Sequence, residues 1–130
     1  MTTRKPDPNC VFCTMPEGKM VLAKRLAYAV YDTTPVTPLH MLILPRQHVA
    51  SCFELTMAER RAMEELLALA RTRILADDET VRGFNIGINV GAVAGQTTFH
   101  CHYHLIPRRI GDVANPRGGV RAVIPGKADY

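Results

Sequence analysis

Hydrophobic residues recur along the chain at two different periods. Residues 26–32, Leu-Ala-Tyr-Ala-Val-Tyr-Asp, read as a strand, and the loop 33–38 follows because its two prolines oppose regular structure. His40-Met-Leu-Ile-Leu44 is nearly all apolar, reads as a second strand stopped by Pro45, and pairs antiparallel with the first. The period then lengthens. Thr56-Met-Ala-Glu59 is a capping box, in which each side chain bonds the other residue's backbone amide, so a helix starts there. Met63, Leu66, Leu67, Ala70 and Ile74 follow at three- and four-residue intervals, one apolar stripe that ends near Asp77-Asp78. Alternation returns in residues 83–89, a glycine-containing loop covers 90–96, and residues 97–107 form the last predicted strand. The polar, proline-bearing residues 1–9 are expected to be a flexible tail, residues 10–110 the folded domain, and residues 111–130 an irregular C-terminal tail. The expected architecture is α+β, an antiparallel sheet with one long helix packed on one face.

Size and charge narrow the function. A chain of 130 residues fits one domain, which buries about two thirds of its unfolded surface. Its 16 Lys and Arg stand against 12 Asp and Glu, with the arginines scattered except for Arg108, Arg109, Arg117 and Arg121. No basic face interleaved with aromatics suggests nucleic acid, so the charge points to small anions. The N-terminal residues lack an apolar core segment and no apolar run approaches 18 residues, so the expectation is a cytoplasmic protein without a membrane partner. The four cysteines, Cys10, Cys13, Cys52 and Cys101, then read as free thiols or metal ligands rather than a disulfide framework.

The chemistry concentrates in Phe99-His-Cys-His-Tyr-His-Leu-Ile-Pro107. Strand alternation puts His100, His102 and His104 on one face and Cys101, Tyr103 and Leu105 on the other. At about 3.3 Å per residue the outer histidines lie about 13 Å apart along the backbone, too far to ligate one ion together. The three imidazoles therefore divide their tasks, some facing an extended anion. Cys10-Val-Phe-Cys13 has the spacing of a two-thiolate metal grip, with His48 and His100 as candidate further ligands; the alternative is a pair of reduced thiols. For the other histidines the fitting ligand is a phosphate. Gln96 and Thr97 offer donors beside a bend at Gly95, His102 offers a ring nitrogen as nucleophile, and His104 can hold a phosphate oxygen.

His100-Cys-His102-Tyr-His104-Leu-Ile resembles the signature of the histidine triad (HIT) family of nucleotide hydrolases and transferases. Asp32, His40-Met-Leu-Ile-Leu-Pro45 with His48 after it, Asn89 and Gly95-Gln96-Thr97 match further family positions, so the resemblance runs over residues 9–109. It implies a five-stranded antiparallel sheet and a homodimer. It implies attack by His102 on the α-phosphorus of a purine nucleotide derivative, with a nucleotidyl-histidine intermediate resolved by water. His104, Gln96 and Thr97 would hold phosphate and leaving group, His40 would support the nucleophile, Asp32 would accept from the ribose hydroxyls, and Asn89 would line the nucleotide site. Cys10, Cys13, His48 and His100 resemble the structural zinc ligands of zinc-bearing members, and no organic cofactor is implied. The implied activity is hydrolysis of nucleoside phosphoramidates or dinucleoside polyphosphates. The alternatives are nucleotidyl transfer or phosphorolysis, and nucleotide binding without turnover. Leu39 departs from the family's usual glycine, and Thr98 from an apolar β-branched residue. The Arg108-to-Arg121 stretch resembles a bacterial-type subset and reads either as a polyphosphate contact or as a solvated loop.

Overall fold

The computed structural model describes residues 4–130; of the expected N-terminal tail, residues 1–3 lie outside the described residues. Five strands, β1 (Leu22–Ala23), β2 (Ala27–Tyr31), β3 (Met41–Pro45), β4 (Val81–Gly87) and β5 (Tyr103–Arg109), form one sheet in the order β1-β2-β3-β5-β4. Every neighbouring pair is antiparallel. The helix α1 (Met57–Asp77) connects β3 to β4, and β5 then returns between them.

The sheet sorts its residues by parity. Ala27 and Ala29, Met41 and Ile43, and Leu105 point to the helix side, where they pack with Met63, Leu66, Ala70 and Ile74 of α1 in the main core. Tyr28, Val30, Leu42 and Leu44 point the other way into a smaller apolar cluster with Phe12, Met15 and Met20. Both faces of the central strands are therefore buried, which is why β3 reads as a continuous apolar run rather than an alternation.

Helix α1 begins where the capping box places it. Thr56 accepts from the Glu59 amide at 3.1 Å, and the Glu59 carboxylate accepts from the Thr56 amide at 2.8 Å. Glu59 is also buried against the Arg4 guanidinium, which donates to the same carboxylate and so ties the N-terminal chain to the start of the helix.

Strand boundaries move by a few residues from their sequence expectation. Pro45 is inside β3, paired with Ala27 near the sheet's end. β5 starts at Tyr103, so His100 and His102 precede the regular strand and only His104 lies within it. The alternation survives nonetheless, since Cys101, Tyr103 and Leu105 all join the helix-side core. The Cys101 amide donates to the Val49 carbonyl instead of a strand partner, which explains the early departure from the ladder.

Leu39 is the one non-glycine residue with a positive φ, 72°, among the described residues. It stands where the resemblance leads one to expect glycine, and this backbone region costs a non-glycine residue about 1–2 kcal/mol. Its side chain packs against the main core, a partial compensation. Leu39→Gly is therefore expected to be more stable than Leu39→Ala by about 1 kcal/mol, since both lose the packing but only glycine releases the strain. Urea unfolding of the two variants checks this; alanine at or above glycine would contradict it.

Candidate functional site

Two groups of side chains meet on the sheet face opposite α1. The first is built on the turn at Cys10. The Thr14 amide donates to the Cys10 carbonyl at 3.1 Å, and this closure brings the Cys10 and Cys13 thiols to one side. His48 arrives from the loop after β3 and His100 from the segment before β5. The Cys13 Sγ lies 3.2 Å from the His48 Nδ1, and both sulfurs lie 3.5 Å from the His100 Nδ1. All four ligand atoms fall within 4.8 Å of one another. A tetrahedral shell with bonds of about 2.0–2.3 Å has edges of about 3.3–3.8 Å, so these donors fit one ion.

The fit extends to the second layer of contacts. The His100 Nε2 donates to the Pro45 carbonyl at 2.7 Å, which leaves Nδ1 as the lone-pair nitrogen facing the thiols. His100 is fully buried and Cys10 nearly so. Burial pushes the Cys13 thiol pKa up and the His100 pKa down. A soft S₂N₂ set of this kind can hold a metal ion.

The second group is the triad with its support. His102 donates from Nδ1 to the His100 carbonyl at 2.8 Å, so in its neutral form Nε2 carries the free lone pair. His40 is ordered the other way. Its Nδ1 accepts from the Val36 amide at 3.1 Å, so Nε2 bears the proton and donates to the His104 Nδ1 at 2.9 Å. His104 must then carry its own proton on Nε2. One backbone amide thus sets two tautomers in series, and the site presents an acceptor on His102 beside a donor on His104, with ring centroids 5.1 Å apart.

Asp32 completes this group. One oxygen of its carboxylate accepts from the Thr34 amide at 2.8 Å, and the other lies 3.6 Å from the His40 Nε2. Burial is the main cause that lowers the His40 pKa, and the Asp32 charge opposes it. His104 is pushed down to about 4, first by burial and then by the neighbouring His102 and His40.

This shift carries a pH signature. Between about 4 and the ordinary 6.5, the unfolded chain binds a proton at His104 that the folded chain does not. Stability is therefore expected to fall as pH drops through this window, by on the order of 2–3 kcal/mol, and to level off below it. Urea unfolding over the same window should give a shallower slope for His104→Asn; a slope equal to wild type would exclude His104 as the source.

The loop before the triad is closed by Gln96. Its side-chain oxygen accepts from the Gly91 amide at 2.8 Å, and its amide nitrogen donates to the carbonyls of Ala50 and Thr98 at 2.8 and 3.2 Å. Gln96 is thus buried and fully engaged within the protein, while Thr97 is exposed. Gly91 and Gly95 supply the left-handed bends this loop needs, with φ of 92° and 93°. A Cβ at Gly95 would stand 4.0 Å from the Asn89 amide nitrogen, which places Asn89 against the same loop.

Each arginine near the C-terminus makes a contact within the protein. Arg108 grips Asp112 with two nitrogens and also donates to Asn85. Arg109 binds Asp78, and Arg117 and Arg121 lie over the Tyr130 ring at 5.0 and 4.6 Å. The supports that sequence reasoning missed are the Val36 amide, the Pro45 and His100 carbonyls, and Phe12. Backbone groups leave no residue-type signal, whereas Phe12 could have been noticed between the two cysteines.

Comparison with known proteins gives the family. The HIT domain family model matches residues 15–111, a match that begins after Cys10 and Cys13. An AP-4-A phosphorylase of Mycobacterium tuberculosis is 34% identical over 99 residues, 74% of this chain and 49% of that protein. Adenylylsulfatase HINT3 of Arabidopsis thaliana is 32% identical over 105 residues, 78% of this chain and 53% of that protein. The crystal structure of a Zn-bound histidine triad family protein from Mycobacterium smegmatis superposes with a TM-score of 0.67 at 29% identity, covering 82% of this chain and 80% of that one. The triad, its tautomer-setting supports and the matched span of sequence therefore lead to one conclusion: this chain belongs to the HIT domain family.

Proposed function

We propose that the protein hydrolyses a nucleoside phosphoramidate or a dinucleoside polyphosphate at the α-phosphorus, through a nucleotidyl intermediate on His102. The observation that carries this reading is the 2.8 Å bond from the His102 Nδ1 to the His100 carbonyl, which aims the Nε2 lone pair away from the backbone. In the first step Nε2 forms a bond to phosphorus as the bond to the leaving nitrogen or oxygen breaks, the His104 Nε2–H hydrogen-bonds the charge developing there, and the leaving group departs with a proton taken from solvent. In the second step water attacks phosphorus and releases a proton to solvent, the N–P bond breaks with its electrons returning to the His102 Nε2, and a nucleoside monophosphate leaves. His40 holds the His104 tautomer, Asp32 accepts from the ribose hydroxyls, Asn89 lines the nucleotide site, and Thr97 with the loop closed by Gln96 holds the phosphate oxygens.

The ion we assign to Cys10, Cys13, His48 and His100 is a structural zinc, because four protein ligands leave no open position for substrate. The four free cysteines suit a cytoplasmic setting. A homodimer is supported by the exposed Ile86 on the edge strand β4, an apolar position that a second copy would cover. No helix of the described residues is long and apolar enough to cross a membrane.

The test is a panel of adenosine phosphoramidate, diadenosine polyphosphates and a nucleoside diphosphate sugar, with mass spectrometry of protein quenched and digested under alkaline conditions, which preserve an N–P bond. A nucleotide-mass adduct on the peptide containing His102, together with release of nucleoside monophosphate, is expected. Neither turnover nor adduct would leave nucleotide binding without catalysis. The relative named AP-4-A phosphorylase gives reason to repeat the panel with inorganic phosphate. Capture of the nucleotidyl group by phosphate, giving a nucleoside diphosphate, would establish phosphorolysis instead.

A further inference from the structure

Phe12 lies between the two cysteines of the metal cluster, and its side chain packs on the triad. Its ring centroid is 5.2 Å from that of His102 and 5.7 Å from that of His100. The Phe12 carbonyl accepts from the Tyr28 hydroxyl, and the side chain packs against the smaller apolar cluster beneath the triad. His100 links the same two places. Its Nδ1 faces both thiols at 3.5 Å, while its carbonyl accepts the His102 Nδ1–H at 2.8 Å.

We propose that Phe12 and the backbone of His100 make the Cys10–Cys13 turn a positioning device for His102, so that the nucleophile's ring takes its orientation from the metal centre. The physical argument concerns degrees of freedom. A single hydrogen bond through Nδ1 fixes one atom of the imidazole but lets the ring plane swing about that bond. The Phe12 ring, inclined at 55° to His102, blocks that swing from one side. Phe12 has an occupied metal ligand two residues before it and another one residue after it when the ion is bound, so its backbone is held where the ion holds the turn. The His102 acceptor carbonyl belongs to a third ligand. Both restraints on His102 therefore descend from residues of one coordination sphere, although His102 is not itself a ligand. Phe12 is a positioning residue in this arrangement, and the inference rests on the reading of His102 as nucleophile.

A plain core residue at position 12 would affect stability alone, whereas a positioning residue also changes the state of the His102 ring. The experiment uses metal-loaded wild type, Phe12→Leu and Phe12→Ala, and wild type stripped with a chelator. Three quantities are measured: metal content, kcat and KM on adenosine phosphoramidate, and the ring-nitrogen signals of His102 in long-range proton–nitrogen spectra at mildly alkaline pH. With metal retained, Phe12→Leu is expected to lower kcat about 10- to 100-fold with little change in KM. The His102 signals, which report one ring orientation in wild type, should shift and broaden in the variant and in the stripped protein as the ring samples further orientations about its Nδ1–H bond. Wild-type His102 signals and wild-type kcat in metal-loaded Phe12→Leu would overturn the proposal. If Phe12→Ala does not fold, Phe12→Leu, whose side chain is apolar and close in size, decides. If wild type itself turns over no nucleotide, the functional reading fails, and the nitrogen signals still decide whether Phe12 governs the ring.

Discussion

His102→Ala is expected to lose turnover by about 10⁴-fold or more, because removal of a nucleophile abolishes the covalent route and leaves only binding and charge stabilisation. The fold should survive. The His102 side chain is half-buried just before β5, and its hydrogen bond runs to the His100 carbonyl two residues earlier. Unfolding free energy should change by no more than about 1 kcal/mol, as for substitutions away from a packed core. His104→Ala and His40→Ala are expected to act more mildly, at about 10²- to 10⁴-fold, since each removes a proton donor or its support and leaves the attacking nitrogen. Single-turnover measurements on adenosine phosphoramidate separate these cases. A His102→Ala variant retaining a tenth of wild-type kcat would eliminate His102 as nucleophile, whatever else remained intact.

Metal removal is expected to have the largest effect on stability. The four ligands come from three separate segments, with Cys13 35 residues from His48 and 87 from His100. An ion that joins them closes long loops in the unfolded chain, a restraint comparable to a disulfide and worth about 3–4 kcal/mol. For a domain of this size that corresponds to a fall in thermal midpoint of about 10 °C or more. Cys13→Ser should behave like the stripped protein, since three donors remain and the shell loses a thiolate. Elemental analysis should find one zinc per chain in protein purified without chelator. A well-folded, metal-free protein whose midpoint ignores both chelator and added zinc would remove the metal assignment.

Much of the fold was legible before the structure. The capping box at Thr56 and the stripe through Met63, Leu66, Ala70 and Ile74 are local signals, and α1 starts and packs as they indicate. The apolar run His40–Leu44 likewise announced the second strand, which the structure extends through Pro45 and buries on both faces. β1 was not individually legible, because two residues of strand carry too little pattern to distinguish them from loop. Nor was the start of β5, since the residues before Tyr103 alternate like a strand while the Cys101 amide binds Val49, outside the ladder.

Residue types and their spacing already singled out side chains that the fold brings together. Two cysteines with two residues between them in a turn, and three histidines at period two in an apolar frame, follow from chain geometry alone: a turn gathers neighbours, and a pleated backbone sorts alternate side chains. What each imidazole offers to a ligand required the folded chain. A histidine's tautomer is chosen by the partner of its other nitrogen, and those partners are remote or unspecific in sequence. The Pro45 carbonyl that turns the His100 Nδ1 toward the thiols is 55 residues away, and His40 meets His104 across 64 residues. The Val36 amide that orders His40 is a backbone group, which every residue but proline possesses. Packing the sheet brings these groups within hydrogen-bonding distance, and that contact makes His100 a candidate ligand, His102 a free lone pair and His104 a donor.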